Sequence, residues 1–155
     1  MSNNFAGLEV NVTIGGIDYQ ATLDDDIRIR AHDLDAEFLE QARKFSWWAM
    51  VAELAKDQVG RQKYELDQLY ARLDCKSRAD AAANKVKKTE KMVENECITA
   101  PEYQQAYQEY LEAKKHYGML QAGREAFVQR KEMLISLGAN YRAEGSTDPV
   151  LLQEK

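Results

Sequence analysis

Between Leu34 and Leu73 apolar side chains recur every seven residues in two columns. One column is Phe38, Phe45, Ala52, Val59, Leu66 and Leu73. The other is Leu34, Gln41, Trp48, Ala55, Gln62 and Leu69, broken only by its two glutamines. Residues three and four apart share one helical face, and a seven-residue repeat is a coiled-coil seam. At about 1.5 Å per residue, the stretch predicts a helix roughly 60 Å long over residues 34–74. A helix of that length needs a partner helix along its course, and the chain supplies one at 100–137.

The second arm has its own columns. Tyr103, Tyr110, Tyr117, Arg124 and Lys131 form one, and Ala106, Ala113, Leu120, Phe127 and Leu134 the other. Tyrosines in register suit a helix interface, and their rings also suit stacking of single-stranded bases. Thr99-Ala100-Pro101-Glu102 predicts the start of this helix, with Thr99 and Glu102 as a capping box and Pro101 in the first turn. Gly138 reads as the glycine that stops it. Residues 139–155 are then a loose tail in which Val150-Leu151-Leu152 is able to dock. Between the arms, residues 75–83 either turn or continue the first helix, and 83–97 form a short basic helix. Gly60, inside the first arm, marks a close approach or a slight bend.

Ahead of the arms the period changes to two. Leu8, Val10, Val12 and Ile14 alternate up to Gly15-Gly16, and Ile17, Tyr19, Ala21 and Leu23 alternate after it. This is a β-hairpin over 8–23, because both glycines accept the positive φ of a tight turn. Asp24-Asp25-Asp26 reads as a solvated turn rather than a metal site. Ile27 and Ile29 alternate with Arg28 and Arg30 as a third short strand would. Asp33 or Asp35 caps the first long helix. Trp47 and Trp48 point about 100° apart on that helix, so only Trp48 lies on the seam. Trp47 is expected to face the β-hairpin or a neighbouring protomer.

The 155 residues fit one domain, 1–155. A net charge of −5 excludes a globally basic nucleic-acid binder, yet the charge is uneven. Residues 61–91 hold nine Lys or Arg against five Asp or Glu, the only stretch with the sign a phosphate backbone attracts. Cys75 and Cys97 are expected to be reduced, and neither pairs with His32 or His116 at zinc-ligand spacing, so no metal and no cofactor are expected. No leader-like or membrane-spanning stretch is present, so a cytoplasmic location is expected. There is no P-loop, dinucleotide turn, nucleophile elbow or His-Glu-x-x-His motif, so binding or assembly is expected rather than catalysis.

From Asp26 to Asp74 the chain resembles the UvsY-type recombination mediators of bacteriophages. The matching elements are Asp26, Ile27 and Ile29; Leu34 and Glu37; Phe45, Ser46 and Trp48; and the closing Ala71-Arg72-Leu73-Asp74. Lys88-Thr89-Glu90 resembles the family's Lys-Ser-Glu helix opening, and Ser136-x-Gly138 the end of its next helix. The resemblance covers about two-thirds of the chain. It implies a small oligomer that binds single-stranded DNA and helps a RecA-like recombinase displace single-strand-binding protein. It also implies DNA contact through a Lys-x-Arg pair late in the first long helix. Here the Arg is Arg72, and Tyr70 stands where the family has Lys, so a cation is lost and a stacking ring gained. The acidic net charge, the shortened segment after Gly138 and the added β-hairpin also depart from the family.

The expected fold is mainly α: a long antiparallel helical hairpin, coiled-coil-like, with a short connecting helix and an N-terminal β-hairpin. Apolar residues off the seams (Trp47, Val51, Leu54, Tyr107, Leu111, Val128) predict an oligomer, with Trp47, Tyr107, Leu111 and Val128 at its interface. Tyr70, Arg72, Lys76, Arg78, Lys85, Lys87 and Lys88 are the expected nucleic-acid-binding residues. The expected partners are other copies of the chain, single-stranded DNA, a RecA-like recombinase and single-strand-binding protein. The alternative is a coiled-coil protein–protein module (a phage assembly chaperone, scaffold or inhibitor of a host protein) without nucleic-acid binding.

Overall fold

The computed structural model describes residues 9–146. The chain is mainly helical, with a two-stranded antiparallel N-terminal hairpin and long helices. Strand β1 is Glu9–Ile14 and β2 is Ile17–Thr22; helices α1, α2, α3 and α4 are Leu23–Ile27, Leu34–Ala83, Glu90–Thr99 and Pro101–Ser146. They divide between two compact units. One holds the described residues 9–52 and 119–146, and the other is Glu53–Gly118. Each long helix contributes a stretch to both. No helix among the described residues is long and apolar enough to cross a membrane.

The hairpin forms, and its first strand follows the expected pattern; in the second strand Ile17 is exposed, and Leu23, expected at its end, opens α1. Gly15 and Gly16 take φ of +58° and +80°, and Val12 sits across from Tyr19. Val10, Val12 and Ile14 are buried while the residues between them are exposed. Leu8, expected at its start, lies outside the described residues. The third strand over Ile27–Ile29 is not found among the described residues. Instead Leu23–Ile27 makes a helical turn whose first residues include Asp24, Asp25 and Asp26, carboxylates that suit the positive end of a helix.

In the first unit the two long helices run antiparallel. Phe38 of α2 meets Gly138 of α4, Gln41 meets Phe127, and Trp48 meets both Phe127 and Gly123. Trp48, Leu120, Phe127 and Leu134 form the centre of the core. The column through Arg124 and Lys131 is exposed, and Gly123 and Arg130, one residue earlier, take the buried places. Gly123 is there because a β-carbon would lie 2.3 Å from the Trp48 ring. Gly138 has a related role and does not end the helix. A β-carbon on it would crowd Phe38 at 3.3 Å, and α4 continues through 139–146. The expected loose tail therefore begins no earlier than 147, and the docking expected of Val150-Leu151-Leu152 lies outside the described residues.

In the second unit α2 runs on through 75–83 instead of ending at 74, carried by Ala79, Ala81, Ala82 and Ala83, strong helix formers. It stops in a Schellman turn: Val86 N–H donates to Ala81 O and Lys85 N–H to Ala82 O. Lys85 takes the left-handed conformation there, at φ +55°. That turn keeps Lys85, Lys87 and Lys88 in an irregular linker, so the expected helix from 83 starts only at Glu90. Thr89 caps α3 by accepting a hydrogen bond from Met92 N–H at 3.3 Å. Thr99 does not cap α4 as expected. Its hydroxyl donates back to Asn95 O at 2.6 Å, and Ala100 precedes Pro101 at the start of α4. A β-carbon on Gly60 would meet nothing within 4 Å, so Gly60 marks no close approach. Leu66, Val93, Cys97 and Ala113 are buried in this unit.

Candidate nucleic-acid interface

The expected DNA-binding residues all fall in the second unit, and the structure sorts them into three kinds. Arg78 is committed to the fold. Its guanidinium donates to Asp74 Oδ2 at 2.8 Å and to Glu90 Oε2 at 2.6 Å, tying α3 to α2. It holds both carboxyls below their usual ranges. Lys88 is committed too. Its Nζ donates to Glu96 Oε2 at 2.6 Å and to Ser77 Oγ at 3.2 Å, while Ser77 Oγ donates to Glu96. These bonds, Lys88 first, lower the Glu96 carboxyl.

Arg72, Lys76, Lys85 and Lys87 are the second kind. All four are exposed and make no ion pair among the described residues. Arg72 and Lys76 are one helical turn apart and so share a stripe. Lys85 and Lys87 lie in the linker at the end of α2.

Tyr70 is the third kind. It lies two positions before Arg72, about 200° around the helix, so ring and cation occupy different faces. The Tyr70 ring meets Tyr103 edge-on at 5.9 Å. Tyr103 continues to Tyr107, nearly parallel at 11° and 6.3 Å, and Tyr107 to Tyr110 at 6.3 Å. Burial raises the Tyr70 phenol above its ordinary range. Lys114 Nζ stands 5.5 Å over the Tyr110 ring. The ladder uses steps of four and three along α4. A period of seven links Tyr103, Tyr110 and Tyr117 and passes over Tyr107, a ring in the same row.

Of the expected interface residues, Tyr107 and Leu111 are exposed in the second unit, at 42% and 38%. Val128, 48% exposed, lies in the first unit on an apolar groove with Phe38, Ala42, Phe45, Phe127 and Leu134. Trp47 is half-buried. It packs edge-on against Trp48 at 5.3 Å and lines a cleft with Gln20, Ala21 and Thr22 of β2, which is the hairpin-facing option of the two expected. Val51, expected among the surplus apolar residues, is buried.

One charged cluster in the first unit has no counterpart among the sequence expectations. Arg130, 2% exposed, pairs with Glu37, 1% exposed, and also donates to Gln41 Oε1 and to the carbonyls of Ile27 and Arg28. Arg30 Nε reaches the other Glu37 oxygen at 2.5 Å. Burial pushes the Glu37 carboxyl up, and the Arg30 hydrogen bond with the charge of Arg130 more than offsets it, leaving it below the usual range. Trp48 Nε1 donates to Asp26 Oδ2 at 3.0 Å, and Gln41 Nε2 to Phe127 O at 2.8 Å. The available signal is Gln41 itself, a polar break in a largely apolar column.

Against known proteins, no family model, no curated protein and no solved structure matches the chain.

Proposed function

We propose that the chain binds single-stranded DNA as a recombination mediator, assisting a RecA-like recombinase on DNA covered by single-strand-binding protein. One observation carries the DNA contact. Arg72, Lys76, Lys85 and Lys87 are exposed and make no ion pair among the described residues of one unit, in a chain that is otherwise acidic. Solvated cations without carboxylate partners can exchange counterions for phosphates, which drives such binding and makes it fall with salt. The resemblance to the mediators adds support of a different kind. Its residues Asp26, Glu37 and Trp48 take part in the polar contacts that hold the first unit, so the shared positions are ones this fold uses. Self-association would present the cations several times and raise avidity without new contacts. Catalysis has no part in this reading.

A second reading, a helical protein–protein module without nucleic-acid binding, is favoured by the groove of Phe38, Ala42, Phe45, Phe127, Val128 and Leu134. Fluorescence anisotropy of a labelled single-stranded oligonucleotide separates the two. The mediator reading expects micromolar or tighter binding at low salt that weakens with added salt and with Arg72→Ala or Lys85→Ala. No binding at low salt rejects it and leaves the protein-partner reading.

A further inference from the structure

In the second unit Tyr107 keeps 42% of its surface in solvent while its ring lies parallel to that of Tyr103. The two rings border an open cleft of about 770 Å³ lined also by Ile98, Gln104, Gln105 and Gln108. Among the described residues no charged side chain lines it. A flat ring beside primary amides is the chemistry that accepts a nucleobase. The ring takes the base's face, sequence-tolerantly, and each amide offers both donor and acceptor to its edge. Lys114, at the far end of the ring row, is exposed and makes no ion pair among the described residues.

We propose that Tyr103 and Tyr107, with Gln104 and Gln108, form a base-stacking site for single-stranded nucleic acid, separate from the cationic stripe of Arg72 and Lys76. The inference rests on the DNA-binding reading and adds to it that part of the affinity comes from bases rather than phosphates. A peptide is the less suited occupant. The cleft offers neither a deep apolar pocket for an anchor side chain nor a charge to fix a terminus.

The test uses the full chain with two labelled probes of equal length, an oligothymidylate and an abasic strand with the same phosphates. The wild type is expected to bind oligothymidylate about fivefold or more tightly than the abasic strand, since one stacked base contributes at least that much. Tyr107→Ala is expected to erase the preference while leaving abasic binding unchanged, and Tyr107→Trp to restore it. Arg72→Ala is expected to weaken both probes equally. Equal binding of the two probes by the wild type, with Tyr107→Ala silent and Arg72→Ala weakening, overturns the stacking site and leaves the DNA-binding reading standing. No binding of either probe overturns both. A Tyr107→Ala variant that keeps the preference but changes sedimentation assigns the ring to contact between copies, and overturns the site as well. Tyr107 is exposed, so its variants are expected to fold, and circular dichroism checks that they do.

Discussion

The two units differ in one use of charge. The first buries an arginine and a glutamate outright, at 2% and 1% exposure, and surrounds them with carbonyls and an amide. The second keeps its ion pairs at the surface, where Arg78 and Glu90 are 48% and 83% exposed, and leaves five exposed cations (Arg72, Lys76, Lys85, Lys87 and Lys114) without an ion pair among the described residues. The first unit contains 28–33, a segment outside any helix or strand, whose carbonyls have no ladder to join. A buried guanidinium with five donors meets that need. The second unit has a segment of the same length outside its helices, 84–89, and there Arg78 and Lys88 bond side chains rather than carbonyls.

The largest effect that follows is at Arg130. Removing one member of a buried pair strands the other, at about 3–5 kcal/mol. Arg130→Met is expected near the lower end, because Arg30 still bonds Glu37. Thermal and urea unfolding measure it. Adding Glu37→Leu to Arg130→Met is expected to recover most of the loss, since an apolar replacement removes the uncompensated charge. A single variant as stable as the wild type would show that the buried pair is not what holds 28–33 to the helices.

Gly123 and Gly60 sharpen the same contrast with one chemical change. Both are glycines inside long helices, where alanine is intrinsically better by about 1 kcal/mol. At Gly123 the added methyl would sit 2.3–2.4 Å from the Trp48 ring, whose nitrogen is tied to Asp26. Gly123→Ala is expected to destabilise by about 1–3 kcal/mol, the usual cost of overpacking. Gly60→Ala meets open space and is expected to stabilise by up to about 1 kcal/mol. Opposite shifts in melting temperature are the expected result. Shifts of the same sign would mean that Trp48 yields to the methyl.

These glycines also show how far the sequence is legible. The hairpin is readable because period-two alternation and Gly15-Gly16 say the same thing. The apolar columns find Trp48, Leu66, Leu120, Phe127 and Leu134, since burial follows helical spacing. Gly138 looks like a stop because a glycine that ends a helix and one that admits an aromatic ring are alike in one dimension. The real stop of α2, at Lys85, carries no glycine to announce it. Arg130 lies three residues after Phe127 and four before Leu134, on their face. Yet an arginine there reads as solvated until Glu37, 93 residues away, is brought beside it. For the candidate interface, the sequence locates the basic stretch. It does not divide the cations that hold α3 from those left in solvent, because Glu90 and Glu96 act through tertiary contacts.

The smallest expected effect, and the sharpest check on the contrast, is Arg78→Ala. Arg78 makes four hydrogen bonds to Asp74 and Glu90, more than most surface pairs. Its exposure lets water and salt screen them, so little stability is expected to be lost at neutral pH. What remains has a predictable pH dependence. Arg78 hydrogen bonds hold Glu90 and Asp74 below their ordinary values of 4.5 and 3.8. A carboxyl lowered in the folded state adds stability above its unfolded value and loses it as pH falls through the folded one. The difference between wild type and Arg78→Ala is therefore expected to be constant well above 4.5 and to shrink as pH falls past 4.5 and 3.8 and through the lowered folded-state values. Melting curves across the acidic range up to neutrality follow it. A difference that persists at the acid end would mean that Arg78 acts through packing of its stem across α2 and α3 rather than through charge. The second unit would then depend on its arginine much as the first does.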